Sequence, residues 1–331
     1  MDFIGSKAKI NSWIFSIISK NIEKSPVFFV DGCAGSGSTS RYFLSRGFDV
    51  ISNDLLSFSS PMVEGYILPA SKVSNAQRCI DEINNSDGER GFFYKNYSAQ
   101  SGRMYFTDDN AKLIDFCRDY ISGIRDSQLK QYLLYCGLEA LSRASNTTGV
   151  QAAFLKAFKE RAKQRFELRC EPRIDFQGKV VTHNIDIVEL AEKVGTPGSI
   201  LYIDPPYNNR QYGPNYHLYE TFVRYDEPTL TGKTGLRKDW KTEGKSKFCN
   251  RDGLIAVLQK IVACSRFDTI YLSYSTDGIA GIEDISGAFD SEITVHVKPT
   301  TRYKSDTDTK RKYNTRPLSE LLFEIQKENS S

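Results

Sequence analysis

Four consecutive residues, Asp204-Pro205-Pro206-Tyr207, carry the clearest chemical signal in this 331-residue chain. The run Ile200-Leu201-Tyr202-Ile203 before them reads as a buried strand, so the tetrapeptide falls at a carboxyl end, where an open parallel sheet binds ligand. Neither proline has an N–H to donate, so the loop is stiff and its carbonyls stay outside the sheet ladder. A carboxylate beside a rigid carbonyl can accept both hydrogens of an exocyclic amine. The nitrogen lone pair, freed from ring conjugation, can then attack an electrophilic methyl group. Tyr207 offers a flat face on which an extruded base could stack. The plainer alternative is a strand-terminating turn that happens to hold two prolines.

A second constellation is Asp31-Gly32-Cys33-Ala34-Gly35-Ser36-Gly37-Ser38. Gly35 and Gly37 allow close approach of backbone to a ligand, and Asp31 could bind an ammonium group. A lone G-x-G suits a dinucleotide-binding oxidoreductase or a simple turn equally well, and the fuller G-x-G-x-x-G pattern fails at Ser40. Asp54 follows the next apolar run and could accept hydrogen bonds from ribose hydroxyls, although a nicotinamide site or a helix cap would also use an aspartate there. Asp186, in Asn184-Ile185-Asp186, could reach a cofactor's adenine amine or could serve only in a turn. Within Phe3-Ile4-Gly5-Ser6-Lys7, the lysine could pair with a carboxylate such as that of methionine, or be an exposed first-turn cation.

The elements around these residues predict how they are held. Val27-Phe28-Phe29-Val30 reads as a buried parallel strand, followed by a tight loop, a helix from about Thr39 to Ser45, and a second strand at Val50-Ile51. This βαβ opening predicts a doubly wound α/β sheet. An amphipathic helix precedes it over Ile10 to Ile18. From about Phe58 to Pro172 helical periodicity dominates, and strand signals return at Lys179 to Thr182, Ser199 to Ile203, Thr269 to Tyr274 and Glu292 to Val297. The simplest organisation is a sheet with a helical insertion. The stretch from Asn208 to Asn250 is rich in Gly, Pro and Lys and reads as long functional loops, while Glu328 to Ser331 reads as a frayed end.

Composition narrows the class. Charged residues at 26% and hydrophobic ones at 40% suit a soluble globular protein, and no apolar run approaches the roughly eighteen residues of a membrane span. Seven scattered cysteines without a C-x-x-C pair, and only three histidines, disfavour a disulfide scaffold and a metal site. A reducing cytosol is the natural compartment. Net charge is only +3, but basic residues gather in three clusters: Lys233 to Arg251, Lys156 to Arg173, and Arg302 to Arg316. Each alone suits a solvated face; together they favour a phosphate-tracking surface.

Taken in order, these motifs resemble the Dam-type DNA adenine-N(6) methyltransferases, with the nearest likeness to restriction-modification enzymes of the FokI-like branch. Phe3 to Lys7, Asp31 to Ser38, Asp54, Asp186 and Asp204 to Tyr207 fall in family order. Thr147-Thr148-Gly149-Val150, Asn208 to Tyr212 with Asn215-Tyr216-His217, and Leu318 to Ile325 are similar to further family segments. One departure is Cys33, where the family usually has an aromatic, and Gly32 stands where Pro or Leu is frequent.

The resemblance implies a Rossmann-like S-adenosylmethionine-dependent methyltransferase sheet with an inserted, mainly helical target-recognition domain. Residues 1–57 and 176–331 would form the catalytic part and 58–175 the insert. S-adenosylmethionine would be held by Phe3, Gly5, Lys7, Asp31, Gly35, Gly37, Asp54, Asp186 and Asp204, with Asp204, Pro205, Pro206 and Tyr207 catalytic and no metal required. Double-stranded DNA would be the partner, contacted by Arg143, Asn146, Arg161 and Arg165 on the insert and by Arg210, Tyr212, Lys245 and Lys247 beside the catalytic motif. A cognate restriction endonuclease would complete such a system. Three other readings stay open: a methyltransferase of another amine (RNA adenine, cytosine or a glutamine amide), a non-catalytic DNA-specificity module, and a nicotinamide-dependent oxidoreductase.

Overall fold

The computed structural model describes residues 3–22, 28–169, 178–196, 199–300 and 318–327. Its strands are β1 (Phe28–Asp31), β2 (Asp49–Asn53), β3 (Val180–His183), β4 (Ile200–Ile203), the short pair β5 (Leu230–Thr231) and β6 (Leu236–Arg237), then β7 (Thr269–Ser275), β8 (Glu292–Thr300) and β9 (Leu318–Gln326). Seven of them form one sheet in the order β3-β2-β1-β4-β7-β9-β8. The first five in that order are mutually parallel, whereas β9 runs antiparallel to both β7 and β8. The chain runs outward from β1 to β3 and then returns to lay β4 on the opposite side of β1. The strand order therefore reverses between β1 and β4, and the carboxyl ends flanking that reversal carry Asp31 and Asp204.

The two faces of the sheet sort the side chains by parity, as a period of two requires. On one face Phe29, Val50, Tyr202 and Tyr271 pack under the helices Asn11–Ile18 and Ser38–Leu44 through Ile14, Ile18, Phe43 and Leu44. On the other, Val30, Leu201, Ile203, Ile270 and Leu272 meet Leu190 from the helix Ile187–Val194 and Leu254, Leu258 and Ile261 from Arg251–Cys264. Coverage on both faces explains why β4 is apolar along its whole length. At the outer edge β8 alternates more and less exposed positions, as a strand covered on one face does.

Between β2 and β3 the chain builds helices with a core of their own. Thr107 and Asp126 cap Asp108–Ser122 and Ser127–Ala144 by accepting hydrogen bonds from Asn110 N and Leu129 N. Ile80, Ile83, Tyr97, Phe106, Ile114, Tyr132, Leu133 and Leu141 fill the centre. The helix Ser59–Glu64 serves both parts, with Met62 in this core and Val63 against the sheet.

The expectation that Asn208 to Asn250 is loop throughout needs correction. Tyr212–Asn215 and His217–Arg224 are helical, and Tyr216, Leu218, Tyr219 and Phe222 complete the core of the helical insert. A segment this short carries no clear period, and its apolar partners lie far away in sequence. Gln151, on the insert, docks it. Its backbone N–H donates to the Asn215 carbonyl (2.7 Å), its side-chain oxygen accepts from the N–H groups of Leu218 (2.9 Å) and Tyr219 (3.3 Å), and its carbonyl accepts from His217 Nε2 (2.9 Å). A side chain from another part of the chain thus satisfies the opening donors of that helix. The basic residues Arg302, Lys304, Lys310, Arg311, Lys312, Arg316 and Arg173, with the Val27 and Glu328 to Ser331 readings, lie outside the described residues.

Candidate active site

A cavity opens at the strand-order reversal, walled by segments distant in sequence. Phe3 to Lys7 form one side and Gly32 to Ser36 the floor, while Asn53 to Leu56 with Ile185 to Ile187 form the far side. Asp204 to Tyr207 with Tyr212 and Gly244 to Phe248 close the mouth. Of the residues expected to hold a cofactor, Phe3, Gly5, Lys7, Gly35, Asp54, Asp186 and Asp204 are in this wall. Asp31 and Gly37 stand behind it. Asp31 is 1% exposed and directs one oxygen to the Ser40 hydroxyl (2.7 Å), leaving the other buried without a hydrogen bond. Burial, above all, lifts its carboxyl to about 7.

The glycine loop is shaped for close approach. Gly35 adopts φ +52°, and a Cβ there would come within 2.8 Å of the Phe3 ring. Its N–H donates to Asp54 Oδ2 at 2.8 Å, while Asp54 Oδ1 accepts from Leu56 N at 2.9 Å. Burial raises Asp54 to about 6 despite those two donors. Phe3 stacks on Tyr216 with centroids 4.4 Å apart, and Ile4 N donates to the Tyr216 hydroxyl at 2.8 Å. The amino-terminal segment is thereby fastened to the chain following Asp204 to Tyr207. At Gly32, which also departs from the family pattern, a Cβ would lie 2.3 Å from Ile187 Cδ1, so that side chain would have to turn aside to admit one. Cys33 is half-buried, and burial pushes its thiol well upward, so it stays protonated rather than nucleophilic.

At the mouth, Lys7 Nζ lies 3.0 Å from Asp204 Oδ1 and 3.7 Å from Glu320 Oε2, and 5.5 Å from the Tyr207 ring centre. Lys7 is 5% exposed; burial pulls its pKa down, but the two carboxylates outweigh that and hold it above the ordinary lysine value. Asp204 moves the other way. Burial lifts it to about 6, with Lys7 restraining the rise and Glu320 adding to it. Tyr207 meets Tyr274 edge-on at 6.2 Å, and its carbonyl accepts from Ile279 N. Asp186 caps the helix Ile187–Val194 through Val188 N (2.9 Å) and faces Lys247 at 3.5 Å.

The residues expected to touch DNA divide sharply. Lys245 and Lys247 are exposed at the cavity mouth, Arg210 is exposed nearby, and Tyr212 is part of the cavity wall, 5.9 Å from Phe3 between ring centres. On the insert Arg143, Arg161 and Arg165 line one cleft together with Arg169. Arg143 donates to the Glu167 carbonyl and Arg165 to those of Asn84 and Ser86. Asn146 requires a correction. It is fully buried, donates to the Met104 and Leu155 carbonyls and accepts from Lys159 N, so its amide holds a loop and presents no edge to a base. Sequence reasoning missed Glu320, Phe58 and Tyr216. An acidic residue inside the apolar strand of Leu318 to Ile325 was the available signal for Glu320. Among the described residues no cluster of three or more His, Cys, Asp or Glu could hold a metal, and no helix is long and apolar enough to cross a membrane.

Comparison with known proteins gives this geometry a family. The D12 class of N6 adenine-specific DNA methyltransferases matches residues 3–285. The type II methyltransferase M.NlaIII of Neisseria lactamica is 31% identical over 99% of this chain and 99% of its own length. M.FokI of Planomicrobium okeanokoites is 34% identical over 99% of the chain, which spans only 53% of that longer protein. M.CviAII of Paramecium bursaria Chlorella virus 1 is 32% identical over 86% of both. Beside a doubly wound sheet whose reversal point is flanked by Asp31 and Asp204, these matches show the family: this chain belongs to the D12 class N6 adenine-specific DNA methyltransferases and is an adenine-specific DNA methyltransferase.

Proposed function

We propose that the cavity binds S-adenosylmethionine and that Asp204-Pro205-Pro206-Tyr207 receives an adenine swung out of duplex DNA. When bound, the donor supplies an electrophilic methyl on a cationic sulfonium. The wall suits it: Phe3, Leu55, Ile185 and Ile187 offer apolar surface, and the carboxylates of Asp54, Asp186 and Asp204 accompany it. Asp54 would receive ribose hydroxyls and Asp186 the donor's adenine amine. Asp204 and the Pro205 carbonyl would accept the two amine hydrogens of the target, Pro206 would keep the loop rigid, and Tyr207 would supply the stacking face. Rate would come from orientation and electrostatic placement, with no covalent intermediate.

The observation that carries this reading is the pairing of Asp204 with buried Lys7, which favours the ionised carboxylate although burial opposes its charge. Replacement of Asp204 by Ala, assayed with tritiated methyl donor and duplex DNA, is expected to abolish incorporation. Undiminished incorporation would sink the assignment. Calorimetric titration with S-adenosylmethionine and NAD in parallel should give heat only with the former.

Residues 58–175 would carry target recognition, with Arg143, Arg161 and Arg165 toward the duplex, while Arg210, Tyr212, Lys245 and Lys247 would hold phosphates and the displaced base at the mouth. The relatives' type II names support a partnership with a cognate restriction endonuclease.

A further inference from the structure

The Lys7 ammonium has two carboxylates within reach, and only one of them belongs to the catalytic motif. Glu320 enters the site because β9 is antiparallel to β7. Its amino end comes to the edge where the parallel strands end, and Glu320 pairs in register with Ser275, the last residue of β7. The Glu320 side chain is 17% exposed, and its Oε2 is buried without a hydrogen bond, 3.7 Å from Lys7 Nζ. In this arrangement Lys7 occupies Asp204 Oδ1, an oxygen that an incoming amine would have to share. A lysine held so tightly would quench the acceptor it keeps ionised. A second anion 3.7 Å from the same nitrogen offers the ammonium another seat inside the protein, so it need not be stranded when it leaves Asp204.

We propose that Glu320 is a positioning residue, drawing the Lys7 ammonium off Asp204 as the target amine docks and holding it while the methyl is transferred. The inference rests on Asp204 being the amine acceptor. Groups facing Asp204 from the surrounding elements are Lys7, Asp31 of β1, Cys33 of the glycine loop, Tyr202 of β4, Tyr207, Tyr212 of the helix Tyr212–Asn215, the Ser273 hydroxyl of β7, and Glu320 of β9. Removing the Glu320 charge takes away a like-charged neighbour and leaves Lys7 wholly on Asp204. Both changes lower the Asp204 pKa and tighten the grip on its oxygen.

The test is single-turnover methylation of duplex DNA at saturating donor, across pH, for the wild type, Glu320→Gln, Glu320→Asp and Asp204→Ala. Glu320→Gln should lower the plateau rate about tenfold and move its acid limb downward by about one pH unit. Gln preserves shape and loses charge, whereas Asp keeps charge and shortens reach. Recovery by Asp toward the wild-type rate and limb therefore supports the inference. A better result with Gln than with Asp, or a slower plateau with an unmoved limb and a matching loss of thermal stability, overturns it. Undiminished methylation by Asp204→Ala overturns the catalytic reading and this inference together. An inactive Asp204→Ala beside a wild-type-like Glu320→Gln overturns the inference alone.

Discussion

The cavity at the strand-order reversal and the arginine cleft of the insert handle charge in opposite ways. Around the cavity, Asp31 is buried and Asp54 and Asp204 are half-buried, all three have raised pKa values, and Lys7 is the cation paired with Asp204 in the wall. In the cleft, Arg161, Arg165 and Arg169 are solvent-exposed, and Arg165 already donates to two backbone carbonyls. The first region holds polar groups short of partners, which a ligand can complete. The second holds groups that water and local carbonyls already satisfy, so any one of them contributes little. Density of like residues is thus a poorer guide to chemistry than their lack of compensation.

The largest effect that could break this contrast is at Asp204. Its replacement by Ala should slow methyl transfer by about a hundredfold to a thousandfold, in the range of other preorganised hydrogen-bonding groups. Arg165→Ala, by comparison, should change the rate less than about threefold. If the two variants lost activity equally in one assay, the distinction between the regions would fail. Next comes pH. Asp204 is the stronger acceptor when ionised and has a pKa of about 6, so the rate should rise as pH climbs through 6 and then level off, with up to about a tenfold loss per unit below it.

The stability sign is opposite. A carboxyl raised on folding binds more protons folded than unfolded, so the ligand-free protein loses stability between the unfolded value near 4 and the folded values of about 6 to 7. Asp31→Asn should therefore raise the melting temperature at pH 8, and an unchanged temperature at both pH 8 and pH 4 would argue that Asp31 carries no such penalty. Asn146→Ala should cost about 1–3 kcal/mol of stability, read by denaturant titration, while leaving DNA affinity near wild type in the folded protein. Smallest is the double change Lys245→Ala and Lys247→Ala, expected to reduce the slope of log affinity against log salt by up to about two. An unchanged slope would remove both from the DNA interface.

The sheet and its motifs were legible because their signals are local. Buried parallel strands are apolar end to end, as Ile200 to Ile203 are, and a strand followed by Asp204-Pro205-Pro206-Tyr207 needs no distant partner to stand out. What escaped was set by non-local packing. The helix His217–Arg224 takes its apolar partners from the insert. Asn146 looked available because a sequence shows no burial, yet its loop folds around it. Glu320 reads as one more residue of a closing strand until β9 pairs antiparallel and brings its first residues to the site. Asp31, read as a cofactor-binding residue, does not line the cavity, whose wall there is formed by Gly32 to Ser36.

Gln151 sets a limit on modularity. It belongs to the insert by sequence, yet it anchors the opening turn of a helix that follows the catalytic loop, 66 residues from His217. Phe3 is tied to the same helix through Tyr216. If the insert carries target recognition as proposed, grafting one from a relative would exchange more than the recognised DNA sequence, since the graft must bring its own anchor for that helix. Chimeras joined at the insert's ends should keep activity only where the donor supplies an equivalent of Gln151, so new specificities would spread by co-inheritance of the two segments.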